Sequence, residues 1–531
     1  MNTSVSRPLQ QPLFRALWIA AVASHIGPGM QNVGGVWLMT SLTPSPLMVA
    51  LMQTATSLPV FLVGLPAGAL ADIVDRRRLL LFWQGWMLVA AAMLAVLTLV
   101  GATTPSLLLT LTFALGLGAA MNAPAWQAII PELVSRDDLP AAVTLNGVGI
   151  NLARAVGPAL GGIVVAAAGP EAVFLLNAAS FVGVIFVLYR WKRSPRKNAL
   201  PTERMIGAIR SGLRYVHYAP ELRNVLVRAG VFISCGSALW ALLPLVAKQL
   251  GLDSFGYGVL LGCLGLGAVS GAFILPKVRR RVSTDSLLVG ATLIFVIATL
   301  ALAYLHNLAL LYLMMVAGGV AWIAIMSSLN VAAQLAVPSW VQARSLGFYQ
   351  LVFQGGIAVG SAVWGIASER WGTSTALLGA AIGLIVGLAV GWRYQLITGE
   401  KLDLTPSVHW PEPTVVIELR PDDGPVLITV EYRIDPMTSG EFAQAMHAVR
   451  LSRRRDGAIR WGLFRDTADP SRYVETFVVE SWAEHLRQHE RVTITDRAVE
   501  ERARAFHIGD TPPIVSHLIY AHDSYENRRT G

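Results

Sequence analysis

The sequence is poor in charged residues. Only 14% of its 531 residues are Asp, Glu, Lys or Arg, whereas 54% are hydrophobic. A soluble domain usually carries about 25% charged residues. The mean hydropathy of +0.53 agrees with this deficit. The composition therefore excludes a purely cytosolic enzyme, a disordered chain and a fibrous protein.

The sequence also has few cysteines and lacks a nucleotide-binding loop. Cys235 and Cys263 both lie inside apolar runs, so they predict neither a disulfide framework nor a thiolate metal site. The chain has no Gly-x-x-x-x-Gly-Lys-Ser/Thr stretch, so we do not expect it to hydrolyse ATP. No cofactor and no metal is expected. Its start lacks the short apolar core and cleavage site of a signal peptide, so the first apolar run is a retained span.

Acidic residues are scarce in one part of the chain and common in the other. Residues 1–399 hold 25 Lys and Arg but 11 Asp and Glu, whereas residues 400–531 hold 17 and 22. All eleven acids before residue 400 lie at the ends of apolar runs or in loops. The first part is typical of a membrane protein and the last part of a soluble domain. Since the excess positive charge lies in the membrane part, it does not indicate nucleic acid binding.

Apolar runs of about 20 residues can cross the hydrocarbon core of a bilayer. The sequence predicts twelve such spans: 15–40, 47–71, 79–101, 106–130, 139–168, 171–191, 226–250, 256–276, 285–305, 307–334, 344–369 and 373–397. The basic loops fall on one side, and the positive-inside rule places that side in the cytoplasm. We therefore expect an integral protein of a bacterial-type inner membrane, with both termini in the cytoplasm.

The membrane part repeats. Arg76-Arg77-Arg78 recurs 203 residues later as Arg279-Arg280-Arg281, and the same offset relates Asn151, Gly157 and Gly162 to Gln354, Gly360 and Gly365. Such repeats are typical of secondary transporters. The predicted fold class is an all-α polytopic membrane protein of two six-helix pseudo-repeats, followed by an α+β domain. The predicted parts are 1–14, a six-helix bundle over 15–191, a linker over 192–225, a second bundle over 226–397, a linker over 398–424, the domain over 425–523 and a tail over 524–531.

The end of the second span reads Gly68-Ala-Leu-Ala-Asp72-Ile-Val-Asp75-Arg76-Arg77-Arg78. This stretch resembles the first cytoplasmic signature of the major facilitator superfamily, although Ile73 and Asp75 depart from it. The resemblance implies that Asp72 helps to hold the two halves together in one state. We expect Asp72 to meet the start of helix 11 near Arg344, and the Arg279-Arg280 loop to meet Asp137 and Asp138. Gly68, Arg76 and Arg77 complete this predicted conformational latch.

Helix 5 contains Asn151, Arg154, Gly157-Pro158 and Gly161-Gly162. The small residues resemble the antiporter signature of exporters in the superfamily and predict a hinge; alternatively, they allow close helix packing. Arg154 lies about 15 residues into the span, and intramembrane charges usually face a cavity or a partner. It either faces the substrate cavity or snorkels to the interface. Together with Asn122-Ala-Pro-Ala-Trp126-Gln127, the helix 5 stretch is similar to the transmembrane secretion effector branch.

Several other polar residues interrupt the apolar runs. Gly27-Pro28-Gly29 predicts a break in helix 1, and broken helices are tolerated beside a wet cavity. The resemblance implies that helices 1, 4, 7 and 10 line the central cavity; alternatively, their amides join helices. The predicted substrate pathway comprises His25, Gln31, Asn32, Asn122, Trp126, Gln127, Asn151, Arg154, Trp240, Asn330, Gln334 and Gln354.

The soluble tail predicts strands over 425–435, 458–466, 471–481 and 514–521, with helices over 438–454 and 482–506. This order is that of a ferredoxin-like domain and is similar to the dimeric α/β-barrel domains of small monooxygenases. His485 and His489 are spaced as a metal pair, but the alternating charges favour a solvated helix face. Such domains often pair through their sheets, so the tail is a candidate homodimer interface.

The predicted function is gradient-driven export of a small organic molecule, of siderophore or drug type, by alternating access. The expected partners are this substrate and the lipid bilayer, without nucleic acid. Two alternatives stay open: an importer of the same fold, and a transporter whose tail is a small-molecule enzyme or sensor.

Overall fold

The computed structural model describes residues 7–135, 138–191, 205–338, 340–396, 403–407, 409–411, 413, 415–416 and 418–521, leaving aside the side chains of Ala69, Asp72, Ile73, Arg154, Ala155, residues 205–211 and Ala343. The chain forms two compact units. The first comprises Met1–Glu203, Val225–Val331 and Gly347–Gln395. The second comprises Arg204–Asn224, Ala332–Leu346 and Leu396–Gly531.

Long helices make up the first unit. Their apolar sequences pack against each other on one side and leave many large hydrophobic side chains exposed on the other. Within the described residues, ten helices are long and apolar enough to cross a membrane. The helices up to residue 393 are α1 (Pro12–Leu42), α2 (Pro46–Ile73), α3 (Arg76–Leu99), α4 (Pro105–Leu133), α5 (Leu139–Arg190), α6 (Met205–Tyr218), α7 (Pro220–Gln249), α8 (Ser254–Arg279), α9 (Thr284–Tyr304), α10 (Leu308–Leu335), α11 (Gln342–Trp371) and α12 (Thr373–Arg393).

Polar caps set several of these helix starts. Ser45, Asp75 and Thr104 each accept a hydrogen bond from a backbone N–H in the first turn of α2, α3 and α4. Such caps satisfy donors that have no partner inside the helix. The 52 residues of α5 are not one straight helix, because Gly169 has φ 79° and ψ 167°. This backbone conformation suits glycine, and it separates the predicted spans 139–168 and 171–191.

The predicted break in helix 1 is wrong. The helix α1 runs from Pro12 to Leu42 without interruption, although Pro28 lies inside it. The neighbouring glycines instead permit close packing against α5. A Cβ atom added to Gly29 would lie 3.3 Å from the Cα atom of Gly157, and one added to Gly161 would lie 2.8 Å from the Cα atom of Met30. The lack of side chains therefore brings two backbones together.

The helix α5 also approaches α8. A Cβ atom added to Gly162 would lie 2.9 Å from the Cα atom of Gly258 and 3.1 Å from the Ser254 carbonyl oxygen. This crossing joins a helix of the N-terminal half (α1–α5) to one of the C-terminal half (α7–α12). The four predicted hinge residues Gly157, Pro158, Gly161 and Gly162 thus lie in a continuous stretch of helix, where three glycines serve as packing surfaces.

The second unit contains an antiparallel sheet of four strands in the order β2-β3-β1-β4. The strands are β1 (Val426–Arg433), β2 (Arg460–Arg465), β3 (Arg472–Val479) and β4 (Ile514–Ile519). Alternate residues of β1 and β3 are buried, as expected for a sheet with one covered face. Phe442, Met446 and Val449 of α13 (Ser439–Asp456) pack on that face.

One predicted helix of the tail is two helices in the structure. The chain forms α14 (Trp482–Arg491) and α15 (Ile494–Arg504) where one helix over 482–506 was predicted. Thr493 and Asp496 form a reciprocal capping box, which starts a new helix at this point. The short-range signal Thr-x-x-Asp was present in the sequence and would have located the break.

The linker helix α6 packs within the second unit. The Arg214 guanidinium lies 3.0 Å from the Glu484 carboxylate, and the buried Tyr215 hydroxyl donates to the Ala336 carbonyl oxygen at 3.3 Å. The Arg491 guanidinium lies 4.4 Å from the ring centre of Trp340. The linker helix α6 therefore contacts the tail domain and the loop before α11.

Candidate functional site

The N-terminal half encloses a cavity of about 580 Å³. Four predicted pathway residues line it: His25 from α1 and Asn122, Trp126 and Gln127 from α4. The His25 and Trp126 rings meet edge to face, with their centres 6.2 Å apart. The volume lies within the range of about 300–1,000 Å³ that is usual for small-molecule sites.

Two further amides, Gln84 and Asn146, line this cavity and were missed by the sequence analysis. Gln84 Nε2 donates to Asn122 Oδ1 at 3.3 Å, which orients both amides. Within the described residues, the buried Gln84 Oε1 and Trp126 Nε1 atoms have no hydrogen-bond partner. Buried polar atoms usually have one, so these two side chains carry unsatisfied hydrogen-bonding groups beside the cavity. A lone glutamine inside the apolar run 79–101 was the available signal.

Two smaller cavities adjoin α1. One of about 110 Å³ is lined by Gln31 and Asn32, with Gln31 accepting a hydrogen bond from Asn177. The other, of about 390 Å³, lies between the two halves. It is lined by Asn32 and Trp240, together with Gln53, Tyr257 and Trp322, which the sequence analysis did not select.

The remaining predicted pathway residues do not line these three cavities. Asn151 is exposed on α5 and Gln354 is half-buried on α11. Asn330 and Gln334 lie on α10, at the end of which the chain enters the second unit. Arg154 lies on α5, but its side chain is outside the described part of the structure. Its predicted role in the cavity stays a prediction.

Two predicted latch residues make contacts inside the N-terminal half. Arg76 pairs with Glu132 at 2.8 Å and donates to the Ala128 carbonyl oxygen, which ties the start of α3 to α4. Arg77 donates to the carbonyl oxygens of Leu188 and Tyr189 at 2.8 and 2.6 Å. These are the last carbonyls of α5, where a cation is favourable. Both residues therefore brace the basic loop.

Other latch residues also have partners in their own half. Arg279 donates to the Ser327 and Ser328 hydroxyls at 3.1 and 3.2 Å, and Asp138 lies 3.4 Å from Arg7. A Cβ atom added to Gly68 would lie more than 4 Å from every described atom of its surroundings. Arg280 caps the end of α8, and Arg344 lies on α11 in the second unit. The Asp72 side chain and Asp137 lie outside the described residues.

The two halves touch at the end away from the basic loops. The Lys248 ammonium donates to the Thr40 carbonyl oxygen at the end of α1. The Glu369 carboxylate accepts from the Ser45 hydroxyl at 2.6 Å and the Leu47 N–H at 3.1 Å, at the start of α2. The Gly162–Gly258 crossing lies near the same end. These contacts close that end of the membrane unit in this structure.

The predicted solvated face around His485 is wrong. His485 is 1% exposed, and its ring lies 4.9 Å from that of His489 and 4.8 Å from that of His517. Burial, together with these neighbours, lowers the pKa of His485 to about 3 and that of His489 to about 4. Both rings are therefore neutral near pH 7. Among the described residues, no group of three His, Cys, Asp or Glu residues could hold a metal ion.

This burial predicts that the tail loses stability in mild acid. The pKa of His485 is about 3 in the folded chain and about 6.5 in the unfolded chain, so only the unfolded state gains a proton between these values. Stability is complete above pH 6.5 and falls as the pH decreases toward 3. From pH 6.5 to 5 we expect a loss of ~2 kcal/mol, at about 1.4 kcal/mol per unit.

Hydrogen exchange of the β1 and β3 amides in the full chain, corrected for intrinsic rates, measures this loss. His485→Gln should reduce the pH dependence, whereas His447→Gln on the exposed face of α13 should retain it. Equal pH dependence in wild type and His485→Gln would show that His485 does not account for the loss.

Comparison with known families identifies this architecture. The model of the transmembrane secretion effector family, a branch of the major facilitator superfamily, matches residues 3–525. The chain belongs to this family. The match covers the tail domain as well as the membrane helices. The chain is thus an integral protein of the inner membrane. It is an efflux transporter and not an enzyme.

Several curated transporters are similar to this secretion effector protein. The enterobactin exporter of Salmonella typhi is 25% identical over 410 residues, which are 75% of this chain and 95% of that protein. The staphyloferrin A transporter of Staphylococcus aureus is 23% identical over 297 residues, 54% of this chain and 72% of that one. The multidrug efflux pump Tap of Mycolicibacterium fortuitum is 26% identical over 349 residues, 63% and 84% of the two chains.

Solved transporter structures share the membrane fold. A bacterial homologue of the human lysosomal transporter Spinster, in an inward-facing conformation, has a TM-score of 0.59 at 13% identity. The alignment covers 73% of this chain and 97% of that one. A bacterial homologue of the iron transporter ferroportin has a TM-score of 0.55 at 16% identity, covering 72% and 98%. These likenesses concern the fold alone.

Proposed function

We propose that this secretion effector protein exports a small amphipathic aromatic molecule, of siderophore or drug type, by gradient-driven alternating access. The cavity of about 580 Å³ carries the proposal. Its apolar wall suits an aromatic body, and the Gln84 Oε1 and Trp126 Nε1 atoms can hydrogen bond to polar groups. The names of the relatives, which include enterobactin, staphyloferrin A and multidrug transporters, support this substrate class.

The proposed topology has twelve crossings, with both termini in the cytoplasm. The ten apolar helices supply ten of them if α5 is counted once. The break at Gly169 divides α5 into two crossings, and α1 is long enough for another. The domain boundaries predicted above belong to the same proposal. For the tail, the sheet order β2-β3-β1-β4 with helices on one face supports a ferredoxin-like domain.

Within the membrane unit, we assign the route to the predicted pathway residues. Those that line the cavities are His25, Gln31, Asn32, Asn122, Trp126, Gln127 and Trp240. Arg154, Asn151, Asn330, Gln334 and Gln354 belong to the proposal from the sequence alone. His25 is the titratable side chain in the lining of the 580 Å³ cavity, which makes it the candidate for proton coupling.

Conformational control is proposed for the helix 5 glycines and for the cytoplasmic latch. The helix 5 glycines form the surface against which α1 and α8 move. The cytoplasmic latch of Gly68, Asp72, Asp137, Asp138, Arg279, Arg280 and Arg344 is supported by the sequence. Arg76 and Arg77 position it through their bonds to α4 and α5.

The tail is proposed to form a homodimer through its open sheet face. Phe464 and Leu518 point to that face by their register and are 59% and 53% exposed. Val474 and Val478 lie between them on β3. An apolar patch on a soluble domain indicates an interaction surface.

Replacing Trp126 with phenylalanine tests the transport site. This change removes the Nε1 donor but keeps an aromatic ring in the cavity. We expect the half-saturating substrate concentration to rise roughly 2- to 10-fold. This is the effect of losing one neutral hydrogen bond, which contributes about 0.5–1.5 kcal/mol to binding. The measurement is transport of enterobactin and of ethidium by the reconstituted chain under an imposed pH gradient or membrane potential.

Trp83→Phe is the matched control. The Trp83 indole also lacks a hydrogen-bond partner within the described residues, but it does not line the cavity. Its substitution should leave the half-saturating concentration unchanged. Equal effects of the two changes would refute the assigned site. Transport of neither compound under any gradient would refute the proposed substrate class.

A further inference from the structure

The tail domain contains a cavity of its own, of about 340 Å³. It lies on the covered face of the sheet, over Ile428 and Val430 of β1 and Phe477 of β3. Trp410 and α14 enclose it on other sides, and Val515 of the edge strand β4 lies at its rim, 47% exposed. The cavity is thus an apolar slot that opens beside an edge strand, and its volume suits a small molecule.

Three histidines supply the polar part of the wall. His485 and His489 lie on α14, with their Nε2 atoms 3.3 Å apart, and His517 lies on β4. The ring of His517 makes no hydrogen bond within the described part of the chain. Its ring nitrogens are therefore available to a ligand. Since no described group of three such residues could hold a metal ion, the arrangement favours an organic ligand over a cation.

The charges at the cavity favour an anion. Arg453 and Arg504 line the cavity, and no carboxylate does. Arg453 forms ion pairs with Glu475 and Glu500, with nitrogen–oxygen distances of 3.1 and 2.5 Å. Arg504 is 44% exposed and forms an ion pair with Glu500 at 3.7 Å, a separation longer than that of a hydrogen bond. Its guanidinium can therefore turn to an anionic group that enters the slot.

We propose that this tail cavity, lined by Trp410, His485, His489, Arg504, Val515 and His517, binds a planar aromatic carboxylate. The ring system lies against Trp410, Val430 and Phe477. The carboxylate faces Arg504 and accepts a hydrogen bond from His517. This site is separate from the membrane cavities, so the tail is a second binding domain of the transporter.

Binding of 2-naphthoate to the full chain in nanodiscs tests the proposal, with empty nanodiscs subtracted. Isothermal titration should show saturable binding to wild type. Val515→Trp fills the cavity from its rim and should weaken binding at least 10-fold. Ile514→Trp is the matched control, because Ile514 lies next to it on β4 but points to the open face. It should change the affinity less than 2-fold.

Two further variants keep the test informative if Val515→Trp perturbs the fold. His517→Phe preserves the ring but removes its nitrogens, and Arg504→Gln removes the charge; each should weaken binding about 3-fold. The neutral analogue 2-naphthamide should bind more weakly than 2-naphthoate. Absence of saturable binding, equal affinity in Val515→Trp and Ile514→Trp, or equal affinity for both probes would overturn the proposal.

Discussion

Replacing Arg453 with methionine is expected to destabilise the tail domain by about 3–5 kcal/mol, because it leaves two buried carboxylates without their cation. Arg453 is 6% exposed, and its partners Glu475 and Glu500 are 0% and 3% exposed. The stability of a single domain is typically about 5–15 kcal/mol. For a tail at the lower end of that range, this change would unfold a large fraction of molecules at 37 °C.

The hydrogen bonds around these carboxylates explain the size of the effect. Glu475 accepts from Trp461 and Tyr432, and Glu500 accepts from Trp410. Burial alone would raise the pKa of Glu500, but Arg453, His409 and Trp410 hold it at about 2. Without Arg453 both carboxylates would have to bind a proton or open the core.

Denaturant unfolding of the tail, followed by hydrogen exchange in the full chain, measures this loss. Arg450→Met on the exposed face of the same helix should change stability by less than about 0.5 kcal/mol. A triple change of Arg453→Met, Glu475→Gln and Glu500→Gln should recover part of the loss. An Arg453→Met tail with the stability of the wild type would contradict the assigned role of the network.

The sequence predicted this fold well where the signal was long. The apolar runs located the membrane helices to within a few residues. A span needs about 20 consecutive apolar residues, and a run of that length is easy to recognise. Strand alternation located β1 and β3 because one face is buried. It did not show that Arg453, Glu475 and Glu500 meet, because they lie on three elements brought together only by tertiary packing.

The candidate site was predicted only in part for the same reason. His25, Asn122 and Trp126 stood out as polar or aromatic interruptions of apolar helices, and the structure brings them to one cavity. Gln84 was missed because it lies on helix 3, which was not among the helices expected to line the cavity. The helix 1 break was inferred from Gly27-Pro28-Gly29, yet these residues serve close contact with α5, which a linear pattern cannot distinguish from a kink.

Replacing Gly162 with leucine is expected to reduce transport roughly 5-fold or more, because it separates α5 from α8 at the closed end of the membrane unit. Even a Cβ atom at this position would lie 2.9 Å from the Gly258 Cα atom. Overpacking of this kind costs about 1–3 kcal/mol. If the cost falls on the closed state alone, its population relative to the open state drops roughly 5- to 150-fold.

Transport and a distance measurement together distinguish this effect from misfolding. Spin labels at Thr43 and Leu252, on opposite halves beside the closed end, should move apart in Gly162→Leu after both native cysteines are replaced. Gly147→Leu on the same helix is the control, since a Cβ atom at Gly147 would meet no atom of the described residues within 4 Å. It should retain transport and the wild-type distance. If both leucine variants behave alike, then the Gly162–Gly258 contact is not what closes this end. If Gly162→Leu transports normally with an unchanged distance, the α5–α8 crossing tolerates the side chain and has no part in alternating access.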